Sequence, residues 1–126
     1  MLPGSRISNA KVNHSLINEG GLINAKVVKN SVLGIRSVIR EGTEVYDSYI
    51  MGNDFFETDH KNMIPLGIGK NCVIKRAIVD KNVRIGDNVQ IINKNNVSNT
   101  DEETYCIRDG IVVVKKDVNI PDNTII

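Results

Sequence analysis

The sequence predicts an all-β chain wound as a left-handed parallel β-helix, and three observations predict it. Valine and isoleucine together supply 33 of the 126 residues, against five leucines and three alanines. β-Branched side chains lose rotamer freedom in an α-helix and fit a pleated strand, so this aliphatic choice argues against a helical domain. The aliphatic residues also recur every five or six positions. Between them fall many of the 16 asparagines, which tolerate the left-handed backbone conformation of a tight corner.

The first run of the repeat is Ile7, Val12, Ile17, Ile23, Val28, Leu33, Ile39, Val45 and Met51. After a break it resumes as Ile68, Ile74, Val79, Ile85 and Ile91. An amphipathic α-helix would place apolar residues at i+3, i+4 and i+7, and a hairpin sheet would alternate strictly. Neither fits. A five-to-six-residue period suits a short strand, a corner and a repeat of both, with three sides closing one triangular coil of roughly 16–18 residues. Leu33-Gly-Ile-Arg-Ser-Val38 and Ile85-Gly-Asp-Asn-Val-Gln90 are the clearest hexapeptide units, followed by those starting at Ile39, Ile68 and Val79. A pentapeptide-repeat helix is the alternative, and the Ile-Gly-x-Asn units favour the hexapeptide form. Ile17–Val28 and Ile68–Val79 match without a gap, a second sign of internal repetition. Corners are expected at Asn18-Glu-Gly20, Arg40-Glu-Gly42, Lys70-Asn71, Lys81-Asn82 and Asp87-Asn88, with glycine and asparagine supplying the unusual φ. Residues 1–6 read as a linker remnant and 7–126 as the helical domain.

Two excursions interrupt the repeat. Residues 52–65 read GNDFFETDHKNMIP and hold Phe55 and Phe56 beside Asp54, Glu57 and Asp59. A loop of this length either packs on the side of the solenoid or contacts a partner. Residues 93–109 are rich in Asn, Ser, Thr, Asp and Glu and read as a mobile surface loop. A strand from Ile111 to Lys115 and the closing segment Asn119–Ile126 follow.

Composition narrows the function. Sixteen basic and fifteen acidic residues leave a net charge of +1, so no global field draws the chain to nucleic acid. The longest apolar run is Ile111–Val114, too short to span a bilayer, and the amino end has no secretory or transit pattern. Cys72 and Cys106 show no metal or redox spacing and read as two reduced thiols. Gly67-Ile-Gly-Lys-Asn71 lacks the spacing and the Lys-Ser/Thr pair of a phosphate loop, and is repeat grammar. Asn13-His-Ser15 and Asn96-Val-Ser98 fit a glycosylation sequon but are chance matches in an Asn-rich chain. A catalytic or metal-ligating constellation is hard to assemble, with His14 and His60 the two histidines and only His60 placed on an extruded loop where a general base could sit. The basic residues Lys70, Lys75, Arg76, Lys81, Arg84, Lys115 and Lys116 offer more. Stacked corners would bring some of them together as a compact anion site, while the alternative is a set of solvated corners.

These segments resemble a known family. Ile68–Asn93, Met51-Gly-Asn-Asp-Phe-Phe-Glu-Thr-Asp59, Pro65–Gly69, Gly110–Asp117 and Ile120–Ile126 resemble, in order, the carboxyl-terminal β-helix of ADP-glucose pyrophosphorylase (glucose-1-phosphate adenylyltransferase), above all its small subunit from plants and algae. The likeness extends back to Leu2-Pro-Gly-Ser5. The family makes ADP-glucose and pyrophosphate from ATP and glucose 1-phosphate for starch or glycogen synthesis. The resemblance implies that the catalytic residues, ATP and Mg2+ belong to an amino-terminal domain absent from this chain. On that expectation the chain is a fragment, a truncated gene product or a separately encoded module, and is inactive alone.

The resemblance also implies subunit assembly into a heterotetramer and a site for phosphorylated activators such as 3-phosphoglycerate. Two activator-binding lysines carry over to Lys81, in Asp80-Lys81-Asn82, and Lys116, in Lys116-Asp117, with Asp80 in support. Expected partners are the catalytic domain, other subunits and a phosphorylated metabolite, with neither nucleic acid nor membrane. The location implied is the plastid stroma in plants and algae and the cytoplasm in bacteria. Three departures stand out. The loops after Phe56 and Val97 are shorter than the family's, and Lys115 stands where an apolar residue is usual. Two rival readings are a hexapeptide-repeat acyltransferase using His60 as general base and a purely structural interaction module.

Overall fold

The computed structural model describes residues 4–8, 10–57 and 64–126. Three parallel sheets form the three sides of a prism, and no α-helix occurs among these residues. The first side stacks Arg6–Ile7, Leu22–Ile23, Val38–Ile39, Gly67–Ile68, Arg84–Ile85 and Asn119–Ile120. The second stacks Lys11–Asn13, Val27–Lys29, Glu44–Tyr46, Val73–Lys75 and Gln90–Ile91. The third stacks Leu16–Ile17, Val32–Leu33, Tyr49–Ile50, Ala77–Val79 and Ile111–Val114.

Each side contributes one inward column. Ile7, Ile23, Ile39, Ile68, Ile85 and Ile120 are in register on the first. Val12, Val28, Val45, Ile74 and Ile91 are in register on the second. Ile17, Leu33, Ile50, Val79 and Val114 complete the third. The core is therefore made by the repeating aliphatics themselves, and it is sealed from the second coil onward. At the amino-terminal end Ile7 and Val12 are 47% and 38% exposed, because no coil covers them from below among the described residues.

Three expectations need correction. The inward residue of the ninth repeat is Ile50, 5% exposed, and not Met51, which begins the next corner. The gapless match of Ile17–Val28 with Ile68–Val79 pairs different sides, since Ile17 lies on the third and Ile68 on the first. The three sides are chemically equivalent, so the sequence repeats by side and not by coil. The stretch 93–109 is not a loose loop. Asn99–Asp101 and Tyr105–Arg108 form an antiparallel hairpin that extends the third sheet through Ile111–Val114. Its polar residues are those of a one-layer hairpin facing solvent.

The corners follow the sequence closely. Among the described residues, seven of the thirteen non-glycine residues with positive φ are asparagines, including Asn71, Asn82 and Asn88, while Gly20 and Gly42 each have φ of +77°. The glycines of the Ile-Gly units have a different reason to exist. Gly34, Gly69 and Gly86 lie under the backbone of the next coil: a Cβ would sit 2.1 Å from the Met51 oxygen at Gly34 and 2.3 Å from the Gly86 oxygen at Gly69. Between the second and third sides, Ser15, Ser31 and Ser48 form a ladder. The Oγ of each accepts the next coil's backbone N–H at 3.2 Å, from Ser31, Ser48 and Ala77 in turn. Each hydroxyl also donates to the carbonyl two residues earlier. Among the described residues no buried side-chain polar atom lacks a partner.

Candidate functional site

The corner that leads from the third side to the first carries the predicted lysines. The strand register Val79–Val114 continues past the strand ends, so Lys81 and Lys116 occupy successive rungs. The Asp117 N–H donates to the Lys81 carbonyl at 3.0 Å. Asn82 and Asp117, the next pair, have φ of 60° and 61°. Rungs of a sheet lie about 4.8 Å apart, which puts two lysine side chains on one edge of the prism. One rung below, the Asn82 N–H donates to the Gly52 carbonyl at 3.2 Å, and Gly52, with φ +89°, starts the first excursion. The excursion therefore leaves the prism beside the lysines.

Asp54 turns back onto this corner. Its Oδ1 accepts a hydrogen bond from the Lys81 ammonium at 3.2 Å, and its Oδ2 accepts one from the Asn82 amide at 2.9 Å. The Asn82 carbonyl oxygen accepts the Asp54 N–H at 2.9 Å. The Asn82 hydrogen bond, then Lys81, hold the Asp54 carboxyl below the usual aspartate range, with a smaller pull from the Lys116 charge. Asp80 plays a local part: its carboxylate accepts the Lys81 N–H at 2.6 Å and shapes the turn.

The rest of the excursion's described part packs along the same edge. The Arg36 guanidinium lies 5.5 Å from the Phe56 ring centroid. Glu57 pairs with Arg84 and accepts the Leu66 N–H at 3.0 Å. Of the two outcomes expected for this loop, packing is realised here, although Phe55 and Phe56 stay nearly half exposed.

The broader basic cluster does not assemble. Lys75 lies over the Tyr46 ring at 5.4 Å on the second side, and Lys70 sits at another corner. Arg84 is engaged by Glu57 and the Ile64 carbonyl. Lys115 turns to the hairpin, 3.1 Å from Asp101. That contact accounts for a lysine at an apolar position: the hairpin supplies an acidic partner there. Of the seven, Lys81 and Lys116 stack on successive rungs of one edge.

Asn82 and Asp54 are the site members that sequence reasoning missed. The signal was present in the count of residues: aligning Ile50 with Val79 puts Gly52 beside Lys81, and Asp54 two positions beyond. His60 lies outside the described residues. His14 is an exposed corner residue with φ of 47°. Among the described residues no three His, Cys, Asp or Glu side chains gather to hold a metal. A groove of about 730 Å³ lies at a different corner, between Arg40, Pro65, Lys70 and Asp87. Arg40 and Asp87 are engaged structurally there. Arg40, whose pKa burial lowers, donates to the Leu66 and Ile68 carbonyls, and Asp87 accepts the Lys70 N–H at 2.8 Å.

The comparisons agree with this architecture. Residues 1–125 match the family model described as the GLGC left-handed parallel β-helix domain. The chain belongs to this family. The glucose-1-phosphate adenylyltransferase small subunit, chloroplastic/amyloplastic, of Triticum aestivum is 48% identical over 134 residues. That alignment takes in 99% of this chain and 28% of the wheat protein. The chain thus spans less than a third of that relative's length. The alignment is longer than the chain's 126 residues, so the wheat protein carries residues within the matched region that this chain lacks. Membership fixes the hand of the prism as left-handed, and it ties the β-helix to the adenylyltransferase family rather than to the wider hexapeptide class.

Proposed function

We propose that the chain serves glucose-1-phosphate adenylyltransferase as its regulatory and subunit-assembly domain. ADP-glucose synthesis from ATP and glucose 1-phosphate would then take place on a catalytic domain outside these 126 residues. The observation that carries the proposal is the pairing of Lys81 and Lys116 on successive rungs of one corner, with a carboxylate already seated on Lys81. Two ammonium groups and the Asn82 amide form a donor set that suits the oxygens of a phosphorylated acid. The compound we favour is 3-phosphoglycerate. Its binding would shift the β-helix against the catalytic domain, provided that it prefers the active arrangement.

Assembly draws on the third side. Its outward column of Leu16, Val32, Tyr49, Ile78 and Val113 is apolar, with Leu16 59% and Tyr49 45% exposed. Such a strip fits burial against a neighbouring domain or subunit. In a plant or alga the place of action would be the plastid stroma, in keeping with the name of the wheat relative. In a bacterium it would be the cytoplasm.

Calorimetry with 3-phosphoglycerate on the chain, alone and supplied with the catalytic domain, tests the proposal. Weak binding is expected alone and tighter binding with the catalytic domain present. Lys81→Ala and Lys116→Ala should each weaken it by about tenfold, the scale of one charge-assisted hydrogen bond. Unchanged affinity in both variants rejects the site. The reading frame upstream of Met1 tests the other half, since a nucleotidyltransferase domain in frame is expected there.

A further inference from the structure

We infer that Asp54 is a built-in competitor for the Lys81–Lys116 anion site, so that an anion entering it displaces the Asp54 carboxylate and shifts the short segment, residues 54–56, that carries it. The inference rests on the reading of those lysines as an anion site and adds how occupancy is sensed. Both Asp54 oxygens are engaged by donors of one corner, Lys81 Nζ at 3.2 Å and Asn82 Nδ2 at 2.9 Å. Two oxygens on two neighbouring nitrogens is the arrangement that a phosphate edge would adopt on the same donors.

The contact is poised to exchange. Lys81 and Asp54 side chains are 39% and 47% exposed, so the pair is weak and open to solvent. A phosphate brings more negative charge than a carboxylate. It cannot share Lys81 with Asp54 without like-charge repulsion. The loop is fixed on the inner side of Asp54 and held by a separate contact beyond it. Asn53 is buried, with its amide donating to the Arg36 carbonyl at 2.7 Å. Phe56 rests against the Arg36 guanidinium. Loss of the Asp54 contact therefore acts on a short lever between two anchors, which carries the half-exposed Phe55 and Phe56.

The test is an NMR titration of the 126-residue chain with inorganic phosphate at constant ionic strength. Asp54→Asn is the decisive variant, because it removes the charge and keeps a side-chain oxygen for Asn82. It should bind phosphate about two- to fivefold more tightly, the scale of one exposed ion pair. In the wild-type chain the amide signals of Asp54, Phe55 and Phe56 should move with those of Lys81 and Lys116. Glu103→Gln, an exposed acid on the hairpin, controls for net charge and should leave affinity unchanged. Equal or weaker binding by Asp54→Asn overturns the inference, as does an equal gain in Glu103→Gln. If Lys81→Ala weakens binding while Asp54→Asn does not strengthen it, the competitor falls and the lysine site stands. If phosphate moves neither lysine in any variant, both fall.

Discussion

Gly34→Ala separates two accounts of the glycines in the Ile-Gly units, because the accounts differ in sign. If Gly34 only lends the corner flexibility, alanine should stabilise by about 0.4–1 kcal/mol through the unfolded chain. If Gly34 permits close stacking, alanine must open the rung. Its Cβ would lie 2.1 Å from the Met51 oxygen and 2.5 Å from the Met51 carbonyl carbon. Ordinary contact is about 3.5 Å, so the next coil must retreat by more than about 1 Å from a rung spacing of about 4.8 Å. The hydrogen bonds first affected are those from the Gly34 N–H to the Ile50 carbonyl, at 2.6 Å, and from the Asn53 N–H to the Ile35 carbonyl, at 2.9 Å. Strain of about 1–3 kcal/mol and about 1 kcal/mol per weakened hydrogen bond exceed the entropic gain. The expected result is a loss of about 2–4 kcal/mol in urea unfolding, with an unchanged m value. Gly4→Ala, where no atom lies within 4 Å of the added Cβ, should stay within about 0.5 kcal/mol of wild type. A Gly34→Ala protein as stable as wild type, or more so, refutes the stacking account. The same shift would move Gly52 and Asn53, and with them the loop bearing Asp54.

Other outcomes follow from the same geometry. Ser31→Ala removes the acceptor of the buried Ser48 N–H and should cost about 1–3 kcal/mol in unfolding free energy; a neutral result would mean the serine ladder adds nothing. Cys72 is fully buried, burial raises its thiol pKa, and its Sγ donates to the Gly86 carbonyl, whereas Cys106 is partly exposed. A thiolate reagent should therefore label one site fast in the native chain, and Cys106→Ser should abolish that phase; two equal rates would contradict this. The Asp54 carboxyl should titrate below the ordinary aspartate range, and Asn82→Gly, which keeps the positive φ available, should raise its midpoint. Since the folded pKa is the lower one, its stabilising contact is present above the unfolded pKa and is lost as pH falls through the folded value. A wild-type midpoint at or above the ordinary value would remove the contact from solution.

Much of the fold was legible because each side of the prism buries its own aliphatic residue. Ile23, Val28 and Leu33 lie on the three successive sides, and each is fully buried. Asn71, Asn82 and Asn88 were legible as corners for an equally local reason, since a positive φ restricts the residue that adopts it. The misreadings were also local ambiguities. Ile50 and Met51 are adjacent aliphatics that differ only in which faces inward. A polar stretch such as 93–109 reads alike as loop or as hairpin until its edge partner is known.

The candidate site was legible in half. Lys81 and Lys116 were singled out by the family resemblance, while the residues alone offered a cluster of seven basic side chains. Which members of that cluster meet is a question of register between coils, and the excursions set it. Lys75 and Lys115 find Tyr46 and Asp101, while Asp54 returns to Lys81 across 27 positions of sequence.

The sequence by itself determined the repeating side, most of its inward residues and the left-handed corners, because each depends on residues within one turn of the chain, and it determined the family through ordered matches along its whole length. Only the tertiary structure decided that the Ile-Gly glycines serve stacking, that the second excursion is a hairpin, and that a carboxylate already sits on the lysine corner. Those outcomes depend on which backbone lies one rung above or below, and no local pattern carries that distance.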